Sequence, residues 1–148
     1  MNLGSVLKPM LFSRNKIQID VFINYGNDNV QHKKLLAEPG INALDALDRV
    51  ADVEYTPDES ATGHHGSMVT AIDGFKVDIN HFWMYYTFEK NKAGWKLPMC
   101  TPDSFRITED TRVAWRYHSG IGGKDTQRYG PLSTSKCISK IKRCNRQF

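Results

Sequence analysis

Apolar and polar residues alternate most regularly over Lys16–Asn24. Ile17, Ile19, Val21 and Ile23 fall on one side, and Gln18, Asp20 and Phe22 on the other. A period of two is the mark of a half-buried β-strand. Tyr25-Gly-Asn-Asp-Asn29 follows as a turn cluster, and Val30–Ala37 reads as the returning strand of a hairpin, broken by Pro39-Gly40. The period then changes. Leu44, Leu47 and Val50 recur at helical spacing beside Ala43 and Ala46, and Asn42 stands where a side-chain oxygen can accept from the free N–H groups of a first turn. A helix over Asn42–Val50 is predicted.

Short strand patterns fill the rest of the body. Val53–Tyr55 and Ser67–Ile72 are two, with Asp73-Gly74 as a turn. Asn80–Phe88 is the strongest, rich in aromatic side chains, which favour strands. Ser104–Ile107 and Thr111–Tyr117 complete the set, and glycines 120, 122 and 123 end it. A hairpin, one helix and several further strands predict an α+β domain, with the helix packed across a mixed or antiparallel sheet.

Several of these segments together resemble a bacterial and archaeal domain family related to the C-terminal domain of transcobalamin and gastric intrinsic factor. The matching features are Pro39-Gly40 leading into Ala43-Leu44-Asp45-Ala46-Leu47, and Val69-x-x-Ile72-Asp73-Gly74. Trp83-Met84-Tyr85-Tyr86, Ala93-Gly94 and Val113-x-Trp115-x-Tyr117 complete them. The resemblance spans roughly residues 16–118 and implies a β-grasp-like, soluble-ligand-binding domain. It also implies a corrinoid such as cobalamin as the best guess for a ligand. The sequence departs from the family at Thr87–Lys92, where Asn-Gly is usual, and at Glu109-Asp110, which stands for Gly-Asp. The separate helical domain that holds most of the cobalamin in transcobalamin has no counterpart here. The expected organisation is an N-terminal extension over 1–15, the domain over 16–118, and a basic tail over 119–148.

The 148 residues suit a single domain with a usable core. Of the chain's 20 Lys and Arg, seven lie in residues 119–148 against one acid, Asp125, leaving 13 bases and 15 acids before them. The net charge of +4 therefore comes from the tail, which is either a solvated end or a contact for an anionic or protein partner. Only Tyr129 and Phe148 are aromatic there, which argues against stacking on a single-stranded nucleic acid. No apolar run approaches the roughly 18 residues of a membrane span. The first residues lack the charged start, long apolar stretch and small-residue cleavage site of a secretory signal. A cytoplasmic protein is expected, the alternative being an exported one whose leader is not in this chain. Cys100, Cys137 and Cys144 read as free thiols, and the last two have no standard zinc spacing.

Candidate chemistry centres on the aromatic strand. Phe82, Met84, Tyr86 and Phe88 share one face, expected to be core. His81, Trp83, Tyr85 and Thr87 share the other, whose flat rings and polar tips suit a planar ligand. The competing reading is that the helix, the tail or a second copy covers that face. Trp83, Tyr85 and Trp95 are the candidate ligand contacts, with His81, and with Arg112 and Arg116 for a carboxylate or phosphate. His64, His65 and His118 are candidate proton-transfer groups for a small lyase, isomerase or cyclase built on the same pocket. No phosphate loop, serine nucleophile motif or metal-binding helix motif is present, and no metal site is expected.

Overall fold

A computed structural model describes residues 15–59, 65–119 and 130–132. Strand β1 (Ile17–Asn24) pairs antiparallel with β2 (Val30–Ala37). Their turn places Gly26, Asn27 and Asp28 at positive φ. Only glycine, asparagine and aspartate enter that region readily. Strand β3 (Ile41–Asn42) leads directly into helix α1 (Ala43–Asp48). The Asn42 side chain caps it, accepting from the Asp45 N–H at 2.7 Å. The helix is shorter than the 42–50 predicted. Its chain turns at Arg49, and the N–H groups of Val50 and Ala51 both return to the Leu47 carbonyl. Six residues do not sustain a helix by propensity alone. Burial of Ala43, Leu44, Ala46 and Leu47 holds this one.

Strands β4 (Val53–Tyr55), β5 (Val69–Ile72) and β6 (Phe75–Lys76) form a small antiparallel sheet. Asp73 and Gly74, both at positive φ, make the tight turn between β5 and β6. Then come β7 (His81–Glu89), β8 (Gly94–Lys96), β9 (Arg106–Ile107), which pairs with β3, and β10 (Thr111–Ser119). The main sheet has the order β2-β1-β10-β7-β8. Strand β10 enters parallel to β1 and antiparallel to β7. The architecture is α+β, and the last strand lies beside the first in β-grasp fashion.

That insertion decides which face of β7 is core. Val21 and Ile23 of β1 stand in register with Val113 and Trp115 of β10. These in turn oppose Thr87 and Tyr85 of β7, and Tyr117 opposes Trp83. The helix-side core therefore contains Trp83 and Tyr85 together with Trp115, Leu44, Leu47 and Ile72. The expectation that Phe82, Met84, Tyr86 and Phe88 form the core face is reversed. They lie on the outer face, where of these four only Tyr86 is buried, in a smaller cluster with Ala114 and Leu132 on which Met84 packs. The polar tips that made Trp83 and Tyr85 look like surface rings are satisfied inside the fold. Trp83 Nε1 donates to the Phe75 carbonyl at 2.7 Å, and the Tyr85 hydroxyl to the Cys100 carbonyl at 2.5 Å.

Burial makes the Tyr85 and Tyr25 hydroxyls hard to ionise, and Tyr25 also donates to Asp73, whose charge opposes a phenolate. The folded chain holds these protons more tightly than the unfolded chain, where each hydroxyl ionises near its ordinary value of 10.0. Their contribution to stability is thus complete below that pH and is lost as pH rises above it. Urea midpoints taken from pH 8 to 11 should fall at the alkaline end, and Tyr25→Phe with Tyr85→Phe should flatten the fall. An unchanged slope in the double variant would refute this origin.

Candidate functional site

The outer face of the main sheet is built from side chains that alternate away from the core. Register aligns Lys34 of β2 with Asp20 of β1, and Asp20 with Arg112 of β10. The Arg112 guanidinium carbon lies 4.7 Å from the centre of the Phe88 ring, a cation–π contact. Phe88 is in register with Trp95 of β8. One row across all five strands therefore runs from a cation through a carboxylate and a second cation to two aromatic rings.

The next row carries His32 and Phe22, paired across β2 and β1 and stacked at 4.4 Å. Phe22 meets Trp95 edge-on at 6.2 Å, and Phe88 meets it edge-on at 5.3 Å. His32 Nε2 lies 2.8 Å from Asp20 Oδ1. Two shallow hollows of about 400 and 360 Å³ open on this face and share Gln18, Asp20 and Arg112. Trp95, Phe22 and Phe88 are each part-exposed.

The other half of this face is closed. Residues Gly130–Leu132 cross it, with Asn24 Nδ2 donating to the Pro131 carbonyl at 3.0 Å and Arg116 Nη1 to the Gly130 carbonyl at 2.7 Å. Leu132 packs on Ala114 and Tyr86. Arg116 is thereby buried and fastens this strap. His118 is fully buried, with its Nε2 2.8 Å from the Tyr86 hydroxyl.

The sequence-derived candidates are thus divided. Trp95 and Arg112 meet in the open half of the outer face. Arg116 and His118 lie under or beside the strap. Trp83 and Tyr85 are on the opposite, helix-side face. His81 is also on that side, stacked on Tyr117 at 4.8 Å, with Nδ1 2.9 Å from Asp78. This hydrogen bond holds the Asp78 carboxyl below the usual carboxylate range. His65 is exposed, and His64 lies outside the described residues, as do Cys137 and Cys144. Phe22, His32 and Lys34 were missed by sequence reasoning, although Phe22 standing in the polar row of β1 was a signal.

A further hollow, about 450 Å³, adjoins the outer face at Phe88 and Thr111 and runs under the loop of Pro98, Met99 and Cys100, against Phe105 and Arg106. It holds two rings, Phe88 and Phe105, and its Glu89 carboxylate is engaged by Lys96 at 3.3 Å. Its size exceeds that of the outer hollows, but the outer face gathers more rings and more charge. Among the described residues no three His, Cys, Asp or Glu side chains converge to hold a metal ion, and no helix is long and apolar enough to cross a membrane.

No family model matches the sequence, and no curated protein matches it significantly. Solved structures do match the fold. One is a protein of Ruminococcus gnavus ATCC 29149, provisionally described as metal binding. It has a TM-score of 0.53 and 12% identity over 71% of this chain and 99% of that one. Another is haptocorrin in complex with Cbi, with a TM-score of 0.50 and 11% identity over 69% of this chain. The match spans 25% of the haptocorrin chain. At such identities the likeness is one of fold, and it extends to a domain of a protein solved with its ligand.

Proposed function

We propose that this chain is a ligand-binding module that holds a flat, conjugated small molecule on the open half of the outer sheet face. The observation that carries the reading is the convergence of Trp95, Phe88 and Phe22 beside Arg112. Part-exposed rings held on a sheet offer contact area to a flat ligand at little conformational cost. A ligand there would lie on Trp95, with Trp83 and Tyr85 supporting the sheet from beneath. Cbi is the first ligand to test, because a haptocorrin domain shares this fold and was solved with it. Cobalamin comes next, on the transcobalamin-like motifs. Residues 16–118 are the binding unit in this proposal, with Gly130–Leu132 packed on it.

Titration followed by tryptophan fluorescence tests the proposal. Trp95→Ala should weaken binding by tenfold or more, in keeping with about 1.5 kcal/mol for a lost aromatic contact. Trp83→Ala should lower stability and leave the intrinsic affinity of the folded fraction within about twofold. The reverse pattern would move the ligand to the helix side. A panel of corrinoids and conjugated metabolites that leaves the emission unchanged would remove the proposal.

A further inference from the structure

We infer that the outer groove selects an anionic ligand: a planar ring system bearing a carboxylate, phosphate or sulfonate. The inference rests on the binding reading above and narrows it to a chemical class. Three permanent cations, Lys34, Lys90 and Arg112, line the two hollows, against two carboxylates, Asp20 and Asp110. Both carboxylates already serve the fold's own donors. Asp110 Oδ1 accepts the Gln18 N–H at 2.8 Å, and Asp20 Oδ1 lies 2.8 Å from His32 Nε2. Asp20 is half-buried, and Asp110 and Arg112 are both exposed.

Geometry adds to charge. The Arg112 guanidinium lies over the Phe88 ring, and Phe88 borders Trp95. A ring laid beside Trp95 would bring an attached anionic group toward Arg112 within a single ligand. A guanidinium is a planar fork that matches a carboxylate or phosphate with two parallel hydrogen bonds. The contact with Phe88 holds this guanidinium beside the groove. Lys34 and Lys90 flank it on either side as point charges, which raise the local anion concentration more than they orient it.

The test uses the full chain labelled with ¹⁵N, two probes of the same shape, and the indole N–H resonance of Trp95 assigned through Trp95→Phe. The probes are 2-naphthoate and its neutral counterpart 2-naphthamide. Naphthoate should shift the Trp95 resonance and bind at least tenfold tighter than naphthamide. Arg112→Gln should bring the two affinities within about twofold of each other. Raising salt from 0.05 to 0.5 M should weaken naphthoate alone. Equal affinity of the two probes at Trp95, or an anion preference that survives Arg112→Gln, would overturn the inference and leave the binding reading standing. Silence of both probes together with silence of Cbi and cobalamin would overturn both.

Discussion

Replacing Trp115 by alanine should lower the unfolding free energy by about 3–5 kcal/mol, the cost of emptying a large aromatic site in a packed core. Trp115 is 2% exposed and stacks on Tyr85 with ring centres 5.3 Å apart. It sits on β10, the strand that joins the β1 hairpin to β7, so its loss is felt on both sides of the sheet. Against a total of about 5–15 kcal/mol, the variant should retain little stability at 37 °C. Trp115→Phe should behave very differently. The indole N–H is buried with no hydrogen-bond partner among the described residues. A buried donor without a partner costs about 1–3 kcal/mol. Phenylalanine removes that donor and keeps a ring against Tyr85, so the gain offsets much of the lost volume. Its stability should lie within about 1 kcal/mol of the parent chain, a typical limit for conservative core changes. Urea unfolding of both variants decides the matter. A phenylalanine variant as damaged as the alanine one would mean that the indole N–H is satisfied and matters.

The contrast between the two faces of β7 shows what could be read from the chain and what could not. Period-two alternation placed β1, the turn cluster after it placed β2 as a returning strand, helical spacing placed α1, and the family-like motifs anticipated the β-grasp order. Alternation also divided β7 into two correct sets. It could not say which set faces the helix, because both are large and aromatic and neither is plainly polar. That choice depends on the pairing of β7 with β10 and of β10 with β1, contacts made across long stretches of sequence. The same limit explains the divided site. Trp83 and Trp95 are 12 positions apart in the sequence and stand on opposite faces, since Trp95 follows Phe88 through the β7–β8 register. Arg112 could be placed beside Trp95 only once that register was known. His32 and Lys34 looked like ordinary solvated residues of a returning strand until their alignment with Phe22 and Asp20 put them beside the groove.

Gly66→Ala should be the most damaging of the glycine substitutions in the described chain, at roughly 2–5 kcal/mol, by adding left-handed backbone strain to overpacking. Gly66 has φ of 86°, and a Cβ there would lie 2.1 Å from Thr101 Oγ1 and 2.7 Å from Thr101 Cβ. The near atoms include the root of the Thr101 side chain, so a rotamer change at Thr101 does not clear the space. Gly40, with φ of 95° and nothing within 4 Å of such a Cβ, isolates the backbone contribution. Gly40→Ala should cost only about 1–2 kcal/mol. Thr101→Gly introduced into the Gly66→Ala chain should recover the difference between them, and failure to recover it would show that sterics are not the cause. The close approach has a structural purpose. The Gly66 N–H donates to Asp58 at 3.1 Å, and the neighbouring Ser67 N–H to Asp103 at 3.0 Å. The second of these bonds ties the segment before β5 to the loop that carries Cys100, whose carbonyl accepts from the Tyr85 hydroxyl. Pushing that loop outward loosens the helix-side core, on the face of the sheet opposite Trp95. A ligand held on the outer groove should therefore bind the folded Gly66→Ala chain with nearly unchanged affinity, whereas one held under the Met99–Cys100 loop should not. The same variant that tests the packing of the loop thus tells the two hollows apart.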